Sequence, residues 1–328
     1  MTPAPDTSAE ALPAGRSLWA DARAQLRRNR LAMASLAVIL VYTGLALYGE
    51  GLYRYYRFRD QTPSYQISNL DQAYLPPSFC RRPFAEAAAR GEGLRGGLRN
   101  LARHPLGTDN LGRDVLARLV QGVRVAFLVG IVTSLIAIPI GVVLGCLAGY
   151  FGGRTDDLIV WFYSTVASIP GLLFILAIAM VVGKGLLGVY LGIGLTTWVG
   201  LCRLIRGEVM KHKTRPYVLA ARALGLGHGR IIFRHILPNV FHLVIITFSL
   251  RFSGAISTEV FMSFLGIGVQ GEPSWGLMLG DARLRLWHGV WWEMTFVTLA
   301  IFFIVLAFNL LGDALRDALD PRLRTGEV

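Results

Sequence analysis

The chain is 328 residues long, 53% hydrophobic and only 16% charged, with 33 Lys and Arg against 21 Asp and Glu for a formal net charge of +12. A mean hydropathy of +0.49 lies well away from soluble averages and argues against a water-soluble enzyme, while the basic excess follows a membrane topology rather than a nucleic-acid footprint. The apolar runs are continuous rather than alternating with period two, which argues against a β-barrel.

The tail, 1–30, has no apolar core at its start, so a cleaved secretory signal is not expected and the first apolar run serves as its own insertion signal. Runs long enough to cross about 30 Å of hydrocarbon at about 1.5 Å per residue fall near 31–50, 123–149, 158–182, 186–201, 241–265 and 290–312. They predict an all-α membrane protein with six spanning helices. The tail is followed by the first helix at 31–50, an outer loop with an interfacial helix at 51–122, and a five-helix core at 123–312 holding a basic loop at 203–239. A second tail at 313–328 closes the chain. Lys and Arg concentrate in the tails, at Arg154 in the second loop and in the fourth loop, leaving Lys184, Arg283 and Arg285 to the third and fifth. Positive charge stays inside, so both termini and the even loops are expected in the cytoplasm; the long first loop crosses regardless of its charge.

Within the outer loop, 53–103 is polar and punctuated by Pro and Gly. It reads either as a surface that extends a docking face or as an insertion without a role. In "GTDNLGRDVLARLVQGV" (107–123), Leu111, Val115, Leu116, Leu119, Val120 and Val123 recur at helical spacing with Asp109 placed as N-cap, predicting a helix that either lies at the outer surface as a contact for another protein or is a plain lead-in to span two. In span two, Gly141, Gly145 and Gly149 let another helix backbone come close, from this chain or from a paired subunit.

The fourth loop contains "RPYVLAARALGLG". Pro216 suits a first turn and Gly225 a stop, so a short helix is expected at 217–224, with Val218, Ala221 and Leu224 as a small apolar face for a groove on another protein. The plainer reading is a basic loop that only anchors topology. "RIIFRHILPN" follows as a second amphipathic helix closed by Pro238.

Span five carries Arg251 and Glu259. A charge at the bilayer centre costs about 2.5–3.5 kcal/mol, and eight residues separate the two by about 12 Å along the axis and about 80° around it. They are not expected to pair on one straight helix. Each becomes a candidate for the translocation pathway, Glu259 in a structural or gating role and Arg251 opposite an anionic substrate group or a C-terminal carboxylate. Glu293, beside Trp291 and Trp292, reads as interfacial. No G-x-x-x-x-G-K-[ST], H-E-x-x-H or G-x-S-x-G occurs, and three scattered cysteines form neither a disulfide framework nor a zinc spacing. Catalytic residues, a metal and a cofactor held by this chain are therefore not expected.

Ala220 and Ala221, then Gly225, then Leu237 and Pro238 resemble the cytoplasmic "EAA" loop in the membrane subunits of binding-protein-dependent ABC importers. "HPLGTDNLGRDVLARL" (104–119), "LAGYFGG" (147–153), "EVFMSFLGIGVQ" (259–270), "PSWGLML" (273–279) and "LAFNLLGDALRDALDPR" (306–322) resemble the C-type permease subunit of oligopeptide, dipeptide and nickel importers. The resemblance covers about two-thirds of the chain. It implies a type I ABC importer permease fold in a bacterial inner membrane, and a transport subunit rather than an enzyme. Its implied partners are a second permease, two ATP-binding subunits that use ATP and Mg, a periplasmic binding protein and membrane lipid. Tyr217, Leu219, Ala220, Ala221, Arg222, Gly225, Leu237 and Pro238 become the implied ATPase-coupling residues, and Asp109, Arg113 and Asp114 the candidate contacts for the binding protein. Leu219 departs from the family, which usually has Glu there, and implies a more apolar dock. Peptides are the implied cargo, with nickel, opines or other small solutes as alternatives. A self-contained secondary transporter would show inverted repeats, and six spans with one large basic loop offer no such symmetry. An intramembrane enzyme would need a catalytic pair inside the spans, which is not seen.

Overall fold

The computed structural model describes residues 18–80 and 104–319, with side chains from residue 23 onward. Arg16, the segment 81–103, Arg322, Arg324 and the end of the last family motif lie outside the described residues. Among these residues the chain is almost wholly helical. Helix α1 (Leu18–Arg28) leads into α2 (Arg30–Phe58) through Asn29, whose side chain caps α2 by accepting from the Leu31 and Ala32 amides at 3.0 and 3.2 Å. After short 3₁₀ turns at Leu70–Gln72 and Ser78–Cys80, α3 (Val115–Phe151) crosses as one long helix and stops at Gly152, where φ is +68°.

Five helices are long and apolar enough to cross a membrane. They are α2, α3, the pair α6 (Leu186–Thr196) and α7 (Val199–His212) taken together, α9 (His228–Phe264) and α11 (Trp292–Leu319). Between α3 and α6 lie α4 (Gly153–Ser168) and α5 (Gly171–Val182), which make a sixth crossing if counted as one span but meet at an angle of 88°. The single helix expected at 158–182 is therefore broken. Its cause is Pro170, which holds Ile169 in an extended conformation (φ −83°, ψ 133°) and ends α4 one residue earlier. Helix α8 (Pro216–Ala223) and helix α10 (Trp275–Arg283) fill the loops before and after α9.

Three further expectations change. The helix expected within 107–123 is no separate surface element but a lead-in to span two, the plainer of the two readings. Gly112 sits at φ +70° and the helix begins only at Val115, running straight into the span. Its N-cap is Asp114, which accepts from the Ala117 amide at 2.9 Å, and not Asp109. Nor does Pro238 close a separate helix. The chain turns once as a π-helix over Ile231–Ile236, with the Leu237 amide reaching the Ile232 carbonyl, and this wider turn absorbs the proline at the first positions of Leu237–Phe264. The basic loop foreseen at 203–239 thus shrinks, because α7 and α9 both continue beyond their apolar stretches.

Helix α3 is the axis of the packing. Near its start, Val123 and Phe127 join Ala46, Phe252, Trp275, Ile304 and Phe308, with Phe252 and Phe308 stacked at 4.2 Å between ring centres. Toward its end, Cys146 and Tyr150 join Ile205, Val209, Val218, Ile231 and Ile236. Lipid is as apolar as these side chains, so helices here associate through close packing rather than through the hydrophobic effect. Gly141, Gly145 and Gly149 show how. A Cβ at these positions would stand 2.9, 2.7 and 2.7 Å from the carbonyl oxygens of Trp198, Cys202 and Arg206. The glycine stripe accordingly seats the chain's own α7.

Candidate functional site

The fourth loop builds its surface from the backbone outward. Pro216 opens α8 at its first turn, where a missing N–H goes unnoticed. The helix ends in a Schellman closure. Leu226 N–H reaches the Ala221 carbonyl at 3.2 Å and Gly225 N–H the Arg222 carbonyl at 2.9 Å, with Gly225 at φ +76°. The expected apolar face points the other way. Val218 and Ala221 are 0% and 4% exposed, packed on Ile205, Val209, Ile231 and Ile232 of the chain itself. What faces outward is Tyr217, Leu219, Ala220, Ala223 and Leu224, with Leu219 at 51% and Leu224 at 80% exposure. Leu224 therefore separates from the two residues with which its spacing grouped it.

Two polar contacts tie α8 to the spans. Arg222 lies over the Tyr150 ring at 4.8 Å, and the Tyr150 hydroxyl meets His228 Nδ1 at 3.0 Å. At the other end, the Tyr217 hydroxyl meets His212 Nδ1 at 2.7 Å. The last residues of α3 and α7 and the first of α9 are thus joined to one short helix. Leu237 is partly buried and Pro238 exposed at the foot of α9.

On the opposite end of α3 the motif "HPLGTDNLGRD" folds its polar groups onto one another. Asp109 is 1% exposed. Its carboxylate accepts from the Leu111 and Arg113 amides, both at 2.9 Å, from Arg113 Nε at 2.7 Å and from Arg118 Nη1. Burial opposes its charge, yet Arg118 and Arg113 outweigh that penalty and hold the carboxyl below the ordinary aspartate range. Asp114 meets His104 Nδ1 at 2.7 Å, while His104 Nε2 meets Gln72 at 3.0 Å. Trp292 of α11 donates to the Thr108 carbonyl at 3.0 Å. Asp109 is therefore corrected from a docking contact to an internal one; Arg113 and Asp114 keep about a fifth of their side chains open.

The two charges of span five also part company. Glu259 is 1% exposed; Ser263 donates to it at 2.7 Å and accepts from the Val269 amide at 3.0 Å. It pins the turn that follows α9, which agrees with the structural half of the role expected for it. Arg251 remains partly exposed and donates through both Nη atoms to the carbonyl and hydroxyl of Thr197. Glu293, expected at an interface, is fully buried with Arg285 3.6 Å away.

Sequence reasoning missed Tyr150, Thr197 and Arg124. Arg124, inside span two, bonds Glu50 of α2 at 2.7 Å and Glu272 at 2.5 Å while lying over the Tyr53 ring at 3.6 Å. A lone arginine in an apolar run, with an acid at the end of the neighbouring run, was the signal available.

Two family profiles match the chain. "Binding-protein-dependent transport system inner membrane component" covers residues 141–325, and "N-terminal TM domain of oligopeptide transport permease C" covers residues 17–77. The oligopeptide transport system permease protein OppC of Bacillus subtilis is 34% identical over 94% of this chain and 91% of its own length. The dipeptide transport system permease protein DppC of the same organism is 36% identical over 93% and 86%. The glutathione transport system permease protein GsiD of Pectobacterium atrosepticum is 40% identical over 68% and 74%. A solved chain of the MetNI methionine ABC transporter aligns with 62% of this chain and 96% of its own at a TM-score of 0.49 and 16% identity, a likeness too slight to build on. The chain belongs to the family of binding-protein-dependent transport system inner membrane components.

Proposed function

We propose that this chain is one of two membrane-spanning subunits of an ATP-driven importer, which moves di- or oligopeptides handed over by a binding protein across a bacterial inner membrane. Relatives named for oligopeptide, dipeptide and glutathione transport support a peptide cargo. The distribution of Lys and Arg supports a cytoplasmic side for both termini and for α8.

One observation carries the reading. A short helix presents Leu219, Ala220, Ala223 and Leu224 outward while its inner face and both its ends are fastened to three spans. A lever that must receive a push and transmit it needs this division. An ATPase cleft would receive the outward leucines, and an apolar Leu219 suits an apolar wall where a family glutamate would seek a base. ATP-driven closure would then move α8, and the Tyr150 and His212 contacts would carry the shift to α3, α7 and α9 in an alternating-access cycle. ATP and Mg stay with the ATPases. At the other end Arg113 and Asp114, unlike Asp109, offer the binding protein accessible polar atoms.

The test is purification of the tagged chain from its native membrane in mild detergent. ATPase subunits and a second permease should accompany it, and the complex in vesicles should take up peptide when ATP and loaded binding protein are supplied. A chain that emerges alone or as a homo-oligomer, or a complex that takes up nickel or another small solute and no peptide, contradicts the corresponding part of the reading.

A further inference from the structure

Arg251 lies near the middle of Leu237–Phe264 and so near the middle of a span. Thr197 lies in the break between α6 and α7, also near the middle of its span. The guanidinium spends one N–H of each Nη on the Thr197 carbonyl and hydroxyl, while its buried Nε has no hydrogen-bond partner. No carboxylate among the described residues pairs with it. A guanidinium in hydrocarbon without a counter-ion is expensive, and a neutral threonine does not cancel its charge. The surface beside it is polar and open. Gly254, Ser257 and Thr258 continue along the same helix for about 10 Å, Gly254 and Ser257 are exposed, and nothing lies within 4 Å of a Cβ placed at Gly254.

We propose that Arg251, aimed by Thr197 at the break in the fourth span, is a receptor for the carboxylate of the cargo as it passes the middle of the membrane. This rests on the peptide-importer reading and adds which end of the peptide the chain recognises. With the inner fork spent on Thr197, each terminal nitrogen keeps one outward N–H, and these point to opposite sides, so one of them can meet a carboxylate oxygen without releasing Thr197. The small side chains at Gly254 and Ser257 leave room for the peptide backbone that follows. Broken helices near the bilayer midplane recur as substrate sites in transporters because a break frees backbone groups to bind; here the freed carbonyl orients the arginine instead.

The experiment uses the whole complex in vesicles and two forms of one peptide, with a free C-terminus and with a C-terminal amide, chosen so that both load the binding protein equally. The wild-type complex should carry the free acid faster. R251Q should lower uptake of the acid about tenfold, the worth of a lost charge-assisted hydrogen bond, and leave the amide's rate as it was. R251K, which keeps a cation but loses the fork, should retain a reduced preference and carries the test if R251Q does not assemble. Acid and amide falling in parallel would overturn the proposal and assign Arg251 to a carboxylate of the companion subunit; an unchanged preference in either variant would overturn it too. A wild-type complex that carries no peptide fails the importer reading itself, whereas one that carries peptide but treats acid and amide alike fails only this inference.

Discussion

The segments 104–118 and 215–226 look alike as sequence and fold in opposite senses. Both are short, glycine-marked and carry two arginines, and both sit between apolar runs. The first turns its charges inward, so that Asp109 gathers two arginines and two amides out of water. The second turns small apolar groups inward and leaves leucines and arginines outside. The difference lies in what each segment has to hold. Two distant pieces of chain, at Gln72 and at Trp292, converge on the first, and hydrogen bonds to fixed directions lock them. A single short helix rests on the second, and two buried apolar residues with a ring at each end are enough to seat it. A polar motif is thus no guide to surface, nor an apolar triad to a dock.

Removing the centre of the inward segment should have the largest effect. D109A leaves Arg118, 5% exposed, without its counter-ion, and breaking such a buried pair costs about 3–5 kcal/mol. Thermal melting of the purified complex should fall clearly, and a melt equal to wild type would dissolve the contrast between the two segments. G145L comes next. Its new side chain meets the backbone of α7 and not a flexible neighbour, so overpacking should cost about 1–3 kcal/mol and loosen α8 through α7, read as faster proteolysis at 213–227. The smallest effect is that of acid. The Asp109 carboxyl is held below its unfolded range, so its contribution is present at neutral pH and drains away as pH falls through the folded value. Melting followed from pH 7 downward should show this loss in wild type and not in D109N; equal profiles would contradict it.

Much of the architecture was legible because apolar length, Pro and Gly are local signals. Span positions, the start of α8 at Pro216 and its stop at Gly225 follow from them directly. The break at Pro170 was equally local and was passed over because the apolar run continues through it. Other features depend on partners distant in sequence. Val218 and Ala221 point inward only because Ile205, Ile231 and Ile232 are there to receive them, and spacing along one helix cannot tell a groove in another protein from the chain's own core. Asp109 had the chemistry of an N-cap, but Gly112 reversed the chain before a helix could begin. The pairing of Arg251 with Thr197 spans 54 residues, beyond any local pattern.

On the proposed function, the outward face of α8, and not its inward one, receives the ATPases. Two variants of the complex separate the faces: the outward double substitution L219D with L224D, and the inward A221D. The outward variant should keep the wild-type melting temperature and the second permease but lose the ATPase subunits on purification, while A221D should lower melting because it buries a charge in the packing around Val218. ATPases retained by a well-folded outward double variant would contradict it.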